Sequence, residues 1–234
     1  MNTFSDSFSV ATGLVAHLDP KLIEIVALSL RVSLTATVLA ACIGLPLGAA
    51  LAVGKFPGRR ALTVVVNACM GLPPVVVGLA VYLLLSRSGP LGVFGILFTP
   101  AAMIVAQTIL ITPIIAALSR QIVADAWSEY REQLVSLGAG TAGAVLTLLW
   151  DTRFSLATVM LAGFGRAVAE VGAVMIVGGN IDGVTRVMTT TIALETSKGD
   201  LPLALALGLV LIALVLLVNA AASLVRGWAF ARYG

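Results

Sequence analysis

The sequence predicts an all-α membrane protein, a bundle of about five transmembrane helices with the N-terminus outside and the C-terminus in the cytoplasm. Composition is the first observation behind this. Of 234 residues, 59% are hydrophobic and only 11% charged, and the mean hydropathy is +1.08, more apolar than a soluble core of this length requires. Charge placement is the second. The ionisable residues fall between uncharged runs of the length that crosses a bilayer, roughly 20 residues in a helix. A pI near 9.2 raises nucleic acid as a partner, but the Lys and Arg residues are scattered between apolar runs, which argues for membrane topology and against that partner.

Residues 1–24 read as an outer N-terminal segment. They lack a basic stretch followed by a short apolar core and a small-residue cleavage site, so no cleaved signal peptide is expected. His17 is the only histidine and, with no ligand partners, takes no metal role. Residues 25–225 read as one transmembrane domain. Its first crossing is the uncharged run 32–54, bordered by Arg31 and Lys55, in a helix that starts near Leu22. The basic turn KFPGRR leads to a second crossing, 61–86. The run 88–119 is uncharged, but Gly89, Pro90, Gly92, Gly95 and Pro100 break its first third. A loop and then a third crossing over 100–118 follow from that pattern.

Residues 120–153 contain Arg120, Asp125, Glu129, Arg131, Glu132, Asp151 and Arg153, too many charges for lipid, and form an aqueous segment. A fourth crossing, 154–177, has the right length although it contains Arg166 and Glu170. A polar, Thr-rich outer segment spans 178–200, a fifth uncharged crossing spans 201–225, and residues 226–234 are a tail. Cys42 and Cys69 lie inside apolar runs and read as buried spectators. Pro46, the pair Pro73-Pro74 after Leu72, and Pro113 after Thr112 interrupt apolar helices, where proline frees carbonyls and introduces bends.

Five crossings place the two ends on opposite sides. The 54–60 turn, the 120–153 segment and the tail carry Lys55, Arg59, Arg60, Arg120, Arg131, Arg153, Arg226 and Arg232, against Lys21, Arg87, Arg186 and Lys198 on the other side. The excess of positive charge marks the cytoplasmic side.

Two segments carry functional signals. In QIVADAWSEYREQLVSLG, Ile122, Val123, Ala126, Trp127, Tyr130, Leu134 and Leu137 recur at helical spacing, and Asp125, Glu129 and Glu132 gather on another face. This amphipathic helix suits either a lipid interface or a seat between membrane and partner. Gly138 stands where the helix should stop. In the fourth crossing, Arg166 and Glu170 are spaced i, i+4 and can pair along one helix face. That pair either orders the bundle or lines a pathway. If it lines a pathway, Arg166 attracts an anion and Glu170 holds its conformation. Thr189, Thr190 and Thr191, with Asn180 nearby, form a short outer helix that is either a gate or an ordinary loop helix.

The cytoplasmic segment resembles the coupling loop of ABC-importer permeases, which has the form E-A-A, three residues, G, nine residues, I-x-L-P. Glu132 and Gly138 match its Glu and Gly, Gln133 and Leu134 fall at the alanines, and Leu148 and Trp150 fall at the later apolar positions. Asp151 replaces the proline. The stretch GFGRAVAEVGAVMIVGGNIDGVTRVMTTTIALETSKGD resembles the molybdate, tungstate and sulfate importers, most of all the tungstate-type permease. The resemblance implies a type I importer fold and a multi-pass subunit of a bacterial inner membrane that imports an oxyanion by alternating access. It implies as partners a second copy of the chain, two ATPase subunits that use ATP and Mg, an extracytoplasmic oxyanion-binding protein and membrane lipid. It assigns ATPase coupling to Glu129, Tyr130, Glu132, Gln133, Leu134, Leu137 and Gly138. Arg166, Glu170, Asn180, Thr189, Thr190 and Thr191 become candidates for the pathway or gate.

The chain itself binds no cofactor in this reading. No G-x-x-x-x-G-K-[ST] motif occurs, so the energy has to come from a partner. An intramembrane enzyme would have to use Glu170, Asp151 and Arg166, and no paired intramembrane Asp, H-E-x-x-H or Ser/His arrangement supports that. An ion-coupled carrier would show inverted repeats and more intramembrane acids.

Overall fold

The computed structural model describes residues 4–17 and 19–233, with side-chain surroundings from residue 8 onward except at 18, 226 and 229–233. The tail's Arg226 and Arg232 side chains and the terminal Gly234 therefore lie outside the described residues. The described chain is helical, without strands: α1 Phe4–Ala16, α2 Pro20–Val53, α3 Arg59–Cys69, α4 Pro74–Leu85, a 3₁₀ turn Gly92–Phe94, α5 Pro100–Ser136, α6 Thr141–Asp151, α7 Arg153–Val168, α8 Gly172–Gly178, α9 Met188–Lys198 and α10 Leu201–Tyr233.

Among the described residues, three helices are long and apolar enough to cross a membrane, and the number rises to five if each of two bent helix pairs counts as one span. The three are Pro20–Val53, Pro100–Ser136 and Leu201–Val225. The expected second crossing is not one straight helix. It is α3 followed by α4, bent by 103°, because Pro73 and Pro74 both lack an N–H and force Leu72 out of helical geometry. By contrast, Pro46 and Pro113 sit inside continuous helices. The expected third crossing and the first part of the aqueous segment are one helix. At 37 residues and ~1.5 Å per residue, α5 is about 55 Å long, well beyond a hydrocarbon core of roughly 30 Å. The expected fourth crossing is also broken: α7 stops at Val168 and α8 starts at Gly172. A second break, at Thr152, joins α6 to α7 with a 75° bend. The N-terminal segment, given no structure by its composition, contains α1.

The contacts divide the chain into two units. The first comprises Met1–Thr35, Pro73–Gln107 and Gly165–Val218. In it α4 meets α8 at backbone contact distance, and a Cβ on Gly78 would lie 2.7 Å from the Ala173 Cα. Tyr82 and Phe98 meet edge to face at 6.1 Å between ring centroids, and the Phe98 N–H donates to the Val177 carbonyl at 3.0 Å. Gly178 accommodates Met103, whose sulfur would be 3.0 Å from an added Cβ.

The second unit comprises Ala36–Leu72, Thr108–Phe164 and Asn219–Gly234. In it the glycines of α2 admit α5. A Cβ on Gly48 would lie 2.4 Å from the Ala116 carbonyl oxygen, and the Ser119 hydroxyl is 3.3 Å from the Gly44 carbonyl. Small residues at a helix crossing let backbones approach where the surrounding lipid offers no hydrophobic drive. Ala49, Ala52, Val53, Val123, Ala126, Ala144 and Leu148 form a buried cluster from α2, α5 and α6.

Candidate functional site

In the first unit, the break after α7 is built around Glu170. The end of α7 tightens, with the Glu170 N–H donating to the Ala167 carbonyl at 3.2 Å, a 3₁₀-type bond common at helix ends. The Glu170 carboxylate then serves two donors. Arg166 Nη1 donates to Oε2 at 2.7 Å, and the Ala173 N–H, in the first turn of α8, donates to Oε1 at 3.3 Å. Glu170 is therefore not on the helix face anticipated for it; it sits in the break and caps the next helix. Its side chain is 5% exposed, while that of Arg166 is 42% exposed. The pair thus has a buried anionic end and an accessible cationic one.

The threonine segment closes on the same break. Thr189 Oγ1 donates to the Glu170 carbonyl at 2.7 Å. Thr190 Oγ1 donates to Asn180 Oδ1 at 2.8 Å, and Asn180 Nδ2 returns a 3.3 Å bond to the Thr190 carbonyl. Asn180 has φ +50, a left-handed conformation that Asn tolerates better than most residues. Thr191 Oγ1 bonds back to the Val187 carbonyl at 2.7 Å, so it ties only its own helix. All three threonines are buried.

Sequence reasoning missed Ser29, Ser33 and Gln107. These join Glu170 and Thr189 around a void of about 10 Å³, by centre volume enough for about one water. Gln107 is buried; its Nε2 donates to the Ala167 carbonyl at 3.0 Å, whereas its Oε1 has no protein partner. Ser29 Oγ accepts from the Met188 N–H at 2.8 Å. The available signal was polarity out of place: a Gln inside an uncharged run, and two Ser at i, i+4 in the helix that carries the first crossing.

In the second unit, the anticipated coupling residues separate by environment. The apolar face of residues 122–134 packs inward: Val123 and Ala126 are core, with Trp127, Tyr130 and Leu134 against them. Glu129, Glu132, Gln133, Leu137 and Gly138 are exposed. Gly138 has φ +74, as the helix stop requires, and the Ala139 N–H closes the turn on the Leu134 carbonyl at 2.9 Å. Of the two later apolar positions, Leu148 is 1% exposed and Trp150 is 73% exposed. Leu137, at 83%, and Leu146, at 69%, are exposed as well. The exposed large apolar side chains of the segment are thus Val135, Leu137, Leu146 and Trp150, and Glu129 and Glu132 are exposed as well.

Apolar helices long enough to cross a bilayer, with a helix break at a buried carboxylate paired with a half-exposed arginine, define a polytopic membrane protein. The family model of binding-protein-dependent transport system inner membrane components matches residues 44–232, and the chain belongs to that family. It is a permease subunit of an ABC transporter, a transport protein of the inner membrane rather than an enzyme. The tungstate uptake system permease protein TupB of Peptoclostridium acidaminophilum is 41% identical over 220 residues, covering 94% of this chain and 96% of the relative. TupB of Campylobacter jejuni is 40% identical over 214 residues, covering 92% and 90%. A probable anion ABC transporter permease protein of Haloferax volcanii is 44% identical over 204 residues, covering 85% and 88%.

Proposed function

We propose that the chain imports tungstate, and secondarily molybdate or sulfate, across the inner membrane by alternating access. The observation that carries this reading is the likeness to tungstate uptake permeases over nearly the full length of both chains. The orientation follows the basic bias, with the N-terminus outside and the C-terminus in the cytoplasm. The working unit is a homodimer, because one chain of this size contributes half a pathway and two-fold symmetry presents two equal coupling surfaces. Two ATPase subunits, which use ATP and Mg, dock on Leu137, Leu146, Trp150, Glu129 and Glu132. An extracytoplasmic oxyanion-binding protein delivers the substrate.

Arg166 supports the anion reading because its side chain is half-exposed while its partner carboxylate is buried. Burial of Glu170 holds the cation in place, and the tie from Thr189 keeps the break closed. The void beside Glu170 has room for about one water and not for a tetrahedral oxyanion of five heavy atoms, so it suits a closed gate rather than a substrate site. Opening requires Thr189 to release the Glu170 carbonyl.

Proteoliposomes containing the chain, its ATPase and its binding protein should take up radiolabelled tungstate on ATP addition, with molybdate and sulfate as weaker competitors. No ATP-dependent uptake of any of the three would overturn the oxyanion reading.

A further inference from the structure

The basic turn KFPGRR belongs neither to the Glu170 break nor to the coupling surface. In the second unit it forms one wall of an open groove lined by Lys55, Phe56, Arg59, Arg60, Val64 and, from α5, Arg120. None of the lining residues is acidic. Arg59 is already engaged: its Nε donates to the Leu51 carbonyl at 2.7 Å and its Nη2 to the Ala52 carbonyl at 2.9 Å, which satisfies the C-terminal end of α2. Arg120 is not. Its Nε is buried and has no hydrogen-bond partner, and among the described residues Lys55, Arg60 and Arg120 enter no ion pair. Three cationic side chains without acidic partners thus line one open groove, and their like charge favours an incoming anion. Its rim is apolar: Phe56 is 43% exposed and Val64 66%, with Val65 beside it at 54%.

We propose that this groove holds the phosphate headgroup of an anionic phospholipid, with Arg120, Arg60 and Lys55 donating to the phosphate oxygens and an acyl chain lying along Phe56 and Val64. A phosphate group answers the unpaired cations of the groove, and the exposed apolar side chains of Phe56 and Val64 beside it select a lipid over a soluble anion. Basic clusters at the end of a membrane helix recruit anionic lipids in this way. Only the leaflet, the cytoplasmic one, rests on the orientation proposed above; binding itself does not, and failure of tungstate uptake leaves it intact.

The test is native mass spectrometry of the detergent-purified full chain, titrated with phosphatidylglycerol, phosphatidylcholine of the same acyl chains, or inorganic phosphate. Phosphatidylglycerol should bind at least about tenfold more tightly than phosphatidylcholine, at roughly fivefold per engaged charge. The exposed pair Lys55→Gln/Arg60→Gln should lower that affinity about 25-fold by the same factor, and Arg120→Gln should lower it at least about fivefold. Arg87→Gln, outside the groove, should leave it unchanged. Equal binding of the two lipids, or indifference to the groove variants, overturns the proposal. Displacement of phosphatidylglycerol by millimolar phosphate makes the groove a soluble-anion site and overturns the lipid. If Arg60→Cys, made in a Cys42→Ser/Cys69→Ser background because Cys42 is exposed, is shielded from a maleimide by the ATPase and not by phosphatidylglycerol, the groove is a protein interface and the lipid is likewise excluded.

Discussion

Thr189 Oγ1 donates a 2.7 Å hydrogen bond to the backbone carbonyl of Glu170, bringing the first turn of α9 onto the break between α7 and α8. Both residues are buried. A backbone carbonyl in the middle of an interrupted helix has lost its usual partner, and the threonine hydroxyl replaces it.

Thr189→Val keeps the shape and removes the donor. A buried acceptor left unsatisfied costs about 1–3 kcal/mol, so the thermal midpoint of the purified protein should fall, and Thr189→Ser should restore it. If valine leaves the midpoint and the tungstate uptake rate unchanged, the bond does not hold the break.

The Arg166–Glu170 pair should respond asymmetrically. Arg166→Gln leaves a buried carboxylate without its cation and should cost about 3 kcal/mol, toward the lower end for breaking a buried pair. Glu170→Gln leaves a half-exposed guanidinium that water can solvate and should cost no more than about 1 kcal/mol of ion-pair energy. Chemical denaturation of the two variants in detergent compares them directly. Equal losses would mean that Glu170 is not the desolvated member in the assembled transporter.

The coupling segment should divide into core and surface by mutation. Leu148→Ala opens the cluster with Val123 and Ala144 and should destabilise the chain by about 2–5 kcal/mol. Trp150→Ala and Leu137→Ala, on exposed side chains, should change stability by no more than about 0.5 kcal/mol while each weakens ATPase association by about 2 kcal/mol, as central interface anchors do. Thermal midpoints and pull-down of the ATPase separate the two effects. A Trp150→Ala variant that associates normally removes Trp150 from the interface.

Close helix approach makes a further distinction. Gly48→Ala places a Cβ 2.4 Å from the Ala116 carbonyl oxygen and should cost about 1–3 kcal/mol through forced separation of α2 from α5. Gly208 has no atom within 4 Å of an added Cβ, and Gly208→Ala should be neutral or stabilising by up to about 1 kcal/mol through helix propensity. Melting curves of both variants give the comparison.

Much of the fold is legible in the chain because a bilayer imposes a simple rule. Apolar runs of sufficient length become helices, and so Pro20–Val53, Pro100–Ser136 and Leu201–Val225 stand out. The i, i+4 spacing of Arg166 and Glu170 was enough to anticipate their ion pair, and the position of Gly138 was enough to anticipate a helix stop. Hydropathy averages over a window, however, and a break of three residues does not change the average. That is why hydropathy alone gives 154–177 as one crossing, although α7 and α8 are interrupted at 169–171. The double proline at 73–74 announces the bend between α3 and α4 but not its 103° magnitude.

By itself the sequence determined that the chain is a helical membrane protein, which stretches are apolar enough to cross a bilayer, and which segment is amphipathic, since these depend on transfer free energies summed along the chain. The tertiary structure alone decided that Glu170 sits in a break rather than on a helix face, that Gln107 and Ser29 stand beside it, and that Leu148 faces inward while Trp150 faces out. Those outcomes depend on which distant donor, acceptor or glycine arrives at each point, as Thr189 does for the Glu170 carbonyl, and periodicity along one segment carries no information about its neighbours in space.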